Sequence, residues 1–151
     1  MTKIKTNRTA QSAGAVKERK KLKVIGGIGI KRYKQIEKML DEAYDLAQGS
    51  SNESAIELID NILYECCLSP LLTKQQLAHL FYSRAFAYHG MKNHKDAIVN
   101  YNRAVALNPN TEGLYYFDRG RLKGDMGDKK GKAEDFKMGK KIYPELIELF
   151  K

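Results

Sequence analysis

Tyr82-Ser-Arg-Ala-Phe86, Tyr101-Asn-Arg-Ala104 and Asn108-Pro109 are answered 35 residues later by Phe117-Asp-Arg-Gly-Arg121, Phe136-Lys-Met-Gly139 and Tyr143-Pro144. Three anchor pairs keep that one offset: Ala85 with Gly120, Tyr101 with Phe136, and Pro109 with Pro144. Such agreement is hard to obtain by chance in a chain of 151 residues. Self-similarity at a period of roughly 20–50 residues marks stacked supersecondary units. The repeat therefore decides the architecture before any single element does.

Around this stretch the apolar residues recur at helical spacing. Ile36, Met39, Leu40, Ala43, Leu46 and Ala47 predict a first helix, which Gly49-Ser50-Ser51-Asn52 ends with turn chemistry. Ser51 or Asn52 can cap a second helix, on which Ile56, Ile59, Ile62 and Leu63 share a face. Pro70 and Thr73 mark the next boundary, and Thr73-Lys-Gln-Gln76 reads as a capping box opening a long helix towards Tyr88. A turn at residues 90–94 leads into a fourth helix from Asp96 to about Leu107, stopped by Asn108-Pro109-Asn110. A fifth and a sixth helix flank Gly127-Asp128, and Pro144 introduces a last short helix from Glu145 to Phe150.

The charge is unevenly shared. The chain carries +9 overall, but eleven Lys and Arg stand against Glu18 alone in residues 1–34, leaving 16 basic and 17 acidic residues beyond. A basic arm attached to a neutral body is the expectation, with Lys17, Arg19, Lys20, Lys21 and Lys23 as its densest cluster. Residues 1–30 show no apolar period, so the arm is expected to be largely disordered and residues 31–151 to form the folded domain. No apolar run approaches the roughly 20 residues of a membrane span. No apolar run of signal-peptide length precedes the lysine cluster, and only two of the eight basic residues before Val24 are arginine, against a mitochondrial presequence. Adjacent Cys66 and Cys67 cannot easily bridge each other, which suits a reducing compartment. The cytoplasm is the expected location, or the nucleus in a eukaryote.

Catalytic chemistry finds little support. Ile25-Gly-Gly-Ile-Gly-Ile-Lys31 lacks the Walker spacing and reads as a hinge between arm and body. Cys66, Cys67, His79, His89 and His94 fit no zinc template. No serine lies in a nucleophile-elbow sequence. The sequence predicts no enzyme, cofactor or metal.

A helix–turn–helix unit of about 34 residues with small residues, an aromatic and a closing proline resembles the tetratricopeptide repeat. Residues 78–111 carry the resemblance best, through Phe81, Ala85, Tyr88, Ala97, Tyr101, Ala104 and Pro109. Residues 113–146 follow with Tyr116, Gly120, Phe136, Gly139 and Pro144, although Lys132 and Lys123 replace an expected alanine and tyrosine. Residues 36–69 are degenerate, with Ala43 and Ala55 at the two small positions. The resemblance implies an all-α fold, a right-handed superhelical stack of about three hairpins with a short C-terminal capping helix. It also implies a concave groove lined by the first helix of each hairpin. On this chain that groove would hold Leu40 and Tyr44, then His79, Tyr82, Phe86 and His89, then Leu114, Phe117 and Arg121. Tyr82, Phe86 and Phe117 are expected there as exposed aromatics.

The function implied is that of a scaffold or adaptor holding a peptide or partner protein in the groove. Ser83 and Asp118 stand where a carboxylate-clamping member would need asparagine and a basic residue, so an apolar or mixed segment is the expected ligand. The alternative is a nucleic-acid- or ribosome-associated protein acting through the arm. Such contacts to nucleic acid or another anionic surface would be non-specific and salt-sensitive.

Overall fold

The computed structural model describes residues 26–49, 51–68, 72–110 and 112–145. Six α-helices and no strand occur among them: α1 (Gly26–Gln48), α2 (Asn52–Leu68), α3 (Lys74–Gly90), α4 (His94–Leu107), α5 (Gly113–Asp125) and α6 (Lys129–Ile142). The chain divides into two compact units, residues 1–38 and 39–151. Of the first, residues 26–38 are described and are helical, with Ile36 buried. Residues 26–30, read from the sequence as the end of a disordered arm and a hinge, thus form the first turns of α1. The lysine cluster before them lies outside the described residues, as do residues 146–150 of the expected last helix. Of that helix, Pro144 and Glu145 form a single 3₁₀ turn.

In the second unit the helices pack in sequence order, α2 on α3, α3 on α4, α4 on α5 and α5 on α6, and α3 also reaches α5. The two best hairpins, α3–α4 and α5–α6, are copies down to their turns. In each, the residue after the first helix bonds back to the carbonyl four before it (Met91 to Ala87, Met126 to Leu122). The next residue adopts positive φ, +60° at Lys92 and +85° at Gly127. Then Asn93 and Asp128 cap the second helix, accepting from the amides of Asp96 and Gly131. Such a cap satisfies an otherwise orphaned N–H and is worth about 1 kcal/mol. The cap at Asn93 also explains why α4 begins at His94, two residues before the expected start. The capping box at Thr73 is present as read, with the Gln76 side chain accepting from the Thr73 amide at 3.0 Å and the Thr73 hydroxyl accepting from the Gln76 amide at 3.1 Å.

Small residues set how closely the helices approach. Ala78, Ala85, Ala97 and Ala104 are fully buried between α3 and α4, with Tyr82, Tyr101 and Tyr115 filling the space that the alanines leave. In α5–α6 three of the four equivalent positions are glycines, Gly113, Gly120 and Gly139, and Lys132 stands at the fourth. A β-carbon on Gly120 would stand 2.7 Å from the Phe136 ring, and one on Gly139 would stand 2.9 Å from Phe117. Ala47, Ala55 and Ala87 form the matching small-residue contact further towards the N-terminus.

Two arginines at equivalent positions tie the hairpins polarly. Arg84 on α3 pairs with Asp60 on α2 at 2.6 Å. Arg119 on α5 binds Asp135 on α6 through two N–H groups at 2.6 and 2.8 Å, and Lys123 adds a third contact at 2.9 Å. Asp135 is buried, and this threefold pairing keeps its charge tolerable there.

Candidate interaction surface on the first helices

The face shared by α3 and α5 has a buried floor and a half-open rim. The floor is aromatic. Tyr82 stacks on Tyr115 with ring centroids 4.8 Å apart and leans on Tyr101 at 5.9 Å. Its hydroxyl donates to the Asp118 carboxylate at 2.7 Å, and the other Asp118 oxygen accepts from Arg121 at 3.3 Å. Burial raises the Asp118 pKa above the ordinary carboxylate value, opposed by the Tyr82 hydrogen bond and by the charges of Arg121 and His89. Burial, together with the Asp118 charge, pushes the Tyr82 hydroxyl far up, so it remains a donor at every physiological pH.

Along the rim, the Tyr44 ring of α1 rests against His79 of α3 with centroids 4.9 Å apart. His79 Nδ1 lies 3.3 Å from the Tyr115 hydroxyl, and burial lowers its pKa despite the opposing charge of Asp41. The imidazole is therefore held neutral, able to accept from Tyr115. His89 meets Asp125 at 3.0 Å and stands edge-on to His94. Phe86 packs 6.3 Å from the Tyr82 ring. Leu40, Tyr44, His79, Phe86, His89 and Leu114 are all half-buried, and Arg121 is exposed.

Two expectations need correction. Tyr82 and Phe117, expected as exposed groove aromatics, are 1% and 0% exposed. The next hairpin covers Tyr82, since Tyr115 and Asp118 of α5 close over it while Tyr101 of α4 supports it from behind. Phe117 turns into its own hairpin, edge-on to Phe136 at 5.5 Å and against Gly139. Both are core residues, and the accessible part of the face is the rim.

The repeat offset explains what the sequence misses. Equivalent residues are 35 apart, yet the contacts between α3 and α5 join residues 36 apart: His79 to Tyr115, Tyr82 to Asp118 and His89 to Asp125. Each residue thus meets the one after its own counterpart. No sequence signal marks Tyr115 or Asp125 as site residues, and Asp118 stands out only as a misfit to a carboxylate clamp, because this extra residue arises from how the hairpins stack. Ser83 is buried and donates to the His79 carbonyl at 3.0 Å, so neither it nor Asp118 is free to hold a carboxylate.

The arm residues Lys17, Arg19, Lys20, Lys21 and Lys23 lie outside the described residues. Among those described, no group of three His, Cys, Asp or Glu could hold a metal ion, and no helix is long and apolar enough to cross a membrane. No curated protein matches the chain. Residues 78–111, the α3–α4 hairpin with its buried alanines and Tyr101, match the family model of the tetratricopeptide repeat, and through this protein-interaction unit the chain is similar to that family.

Proposed function

We propose that this chain is a scaffold or adaptor that holds a segment of a partner protein on the face formed by α1, α3 and α5. The observation that carries the reading is the row of half-buried rings, Tyr44, His79 and Phe86, set on a floor locked by the Tyr82–Asp118 hydrogen bond. Aromatic side chains on rigid helices are the usual anchors of a binding surface, because they bury much area at little entropic cost. Leu40 and Leu114 add apolar contact, while His89 and Arg121 add polar contact, so the segment that fits is mixed in character. The same reading assigns no catalysis to the chain and expects it in the cytoplasm, or in the nucleus of a eukaryote.

Peptides selected from a random library against the full chain provide the test. Replacing Tyr44 and Phe86 together by alanine should weaken the selected ligands by at least about tenfold, or about 1.4 kcal/mol, with helicity unchanged. Binding should vary little between about 50 and 300 mM salt. Ligands that bind the double variant as tightly as the parent would overturn the reading. Ligands that are anionic, released by salt and indifferent to the two rings would favour the arm and its Lys17–Lys23 cluster instead.

A further inference from the structure

The neutral body hides a polarity along the stack. Residues 39–68 hold seven carboxylates and no Lys or Arg. α6 holds six lysines, all exposed, against Glu134 and an Asp135 already claimed by Arg119 and Lys123.

The exposed faces of α2 and α6 also share a register. On α2, Glu53, Glu57, Asp60, Asn61 and Tyr64 are exposed at i, i+4, i+7, i+8 and i+11. On α6, Lys130, Glu134, Lys137, Met138 and Lys141 are exposed at the same intervals. Each is therefore a single stripe down one helix side, about 17 Å long at 1.5 Å per residue. Each stripe also carries a large apolar side chain left in solvent, Tyr64 at 68% exposure and Met138 at 36%. A stripe of carboxylates facing a stripe of lysines is complementary in charge.

We propose that the α2 face of one copy docks antiparallel on the α6 face of a second copy. That direction sets Glu53 against Lys141, Glu57 against Lys137 and the Tyr64 ring against Lys130, a cation–π geometry. It brings Asp60 towards Glu134, the one like-charge meeting, and Asp60 is already neutralised by Arg84 at 2.6 Å. The parallel direction would instead oppose Glu57 to Glu134, and among the described residues no cation pairs with either. Because the two faces differ, the contact is heterologous, and a docked pair keeps one unpaired α2 face and one unpaired α6 face to which further copies add, as a closed ring or an open chain. A stripe this short gives a weak, rapidly exchanging contact, well below the roughly 1,000 Å² of a stable interface.

Sedimentation of the full chain tests this. At about 50 mM salt the weight-average mass should rise with protein concentration, and at about 300 mM the association should weaken at least threefold. Lys137→Glu/Lys141→Glu makes both faces acidic, and Glu53→Lys/Glu57→Lys makes both basic. Each variant alone should remain a monomer with unchanged helicity. Mixed one to one they should associate again, because every acidic face then finds a basic one. A parent that stays monomeric at about 0.5 mM and low salt, or variants that associate like the parent, would overturn the proposal. Carbodiimide cross-linking of mixed heavy and light chains identifies the occupant. Links from Glu53 or Glu57 to Lys137 or Lys141 between copies are expected. Links from those carboxylates to Lys17–Lys23 within one copy would show that the arm covers α2, and would overturn it too. A mass increase that follows added oligonucleotide and not protein concentration, and that Lys137→Glu/Lys141→Glu abolishes, would assign α6 to a polyanion, with the same consequence.

Discussion

The Tyr82 hydroxyl donates to the Asp118 carboxylate at 2.7 Å across the boundary between two hairpins, and both side chains are buried. The bond joins neighbouring repeats at the point where stacking removes both groups from water. Tyr82→Phe deletes the donor and leaves a buried carboxylate short of a partner, which should cost about 1–3 kcal/mol in urea unfolding.

Asp118 also gives stability a pH dependence with a definite sign. Its folded pKa lies above the ordinary 3.8, so above that value the folded state retains a proton that the unfolded chain has released. Stability should therefore fall as pH rises from about 4 through the raised value, then level off. Asp118→Asn keeps an acceptor for Tyr82 and removes the titration. The difference between parent and variant stability should shrink or reverse across that window, as read by urea midpoints at several pH values.

His79 works in the opposite sense. Burial lowers its pKa below the ordinary 6.5, so the unfolded chain takes up a proton first as pH falls. Stability from the neutral imidazole is present above about pH 6.5 and is lost as pH drops through and below that value. His79→Gln keeps a hydrogen-bonding partner for Tyr115 and should be less sensitive between about pH 6.5 and 5.

Core and rim aromatics should separate cleanly. Tyr82→Ala and Phe117→Ala each remove a buried ring and should cost about 3–5 kcal/mol, enough to unfold much of a marginal domain. Tyr44→Ala and Phe86→Ala, on half-buried rings, should cost clearly less in the same thermal melts. Equal losses in both pairs would mean that the rim is also core.

Helix crossings leave no room for larger side chains. Ala104→Leu should overpack and cost about 1–3 kcal/mol. Gly120 is tighter, since even a β-carbon would meet the Phe136 ring at 2.7 Å, so Gly120→Ala should already destabilise and Gly120→Leu more so. Thermal midpoints within a degree of the parent would contradict the packing.

Lys92 occupies the left-handed region at φ +60° where the equivalent residue is Gly127 at +85°. A side chain there is strained and glycine is not, so Lys92→Gly should stabilise by about 0.5–1 kcal/mol, and Gly127→Ala should cost about as much.

Much of this molecule is written locally. The 35-residue echo, the Thr73–Gln76 capping box, the turn chemistry after Gln48 and the small residues at helix crossings all depend on neighbours within one hairpin. Helical period, caps and close approach are properties of short segments, so they are visible in the order of residues. Charge sums are visible too, but a sum over the body reads as neutral and conceals that α2 and α6 present opposite signs.

What the order of residues could not decide is which side of a helix stays wet once hairpins stack. Tyr82 and Phe117 share a helical face with Phe86 and Arg121, and nothing local distinguishes them. Stacking advances each hairpin so that residues 36 apart meet, one more than the repeat length. That displacement brings Tyr115 and Asp118 over Tyr82, while the Gly139 gap admits Phe117, and it leaves Tyr44, His79 and Phe86 at the rim. The repeat and its helices follow from short-range chemistry in the sequence, whereas the accessible surface follows from contacts between hairpins, which exist only after the chain has packed.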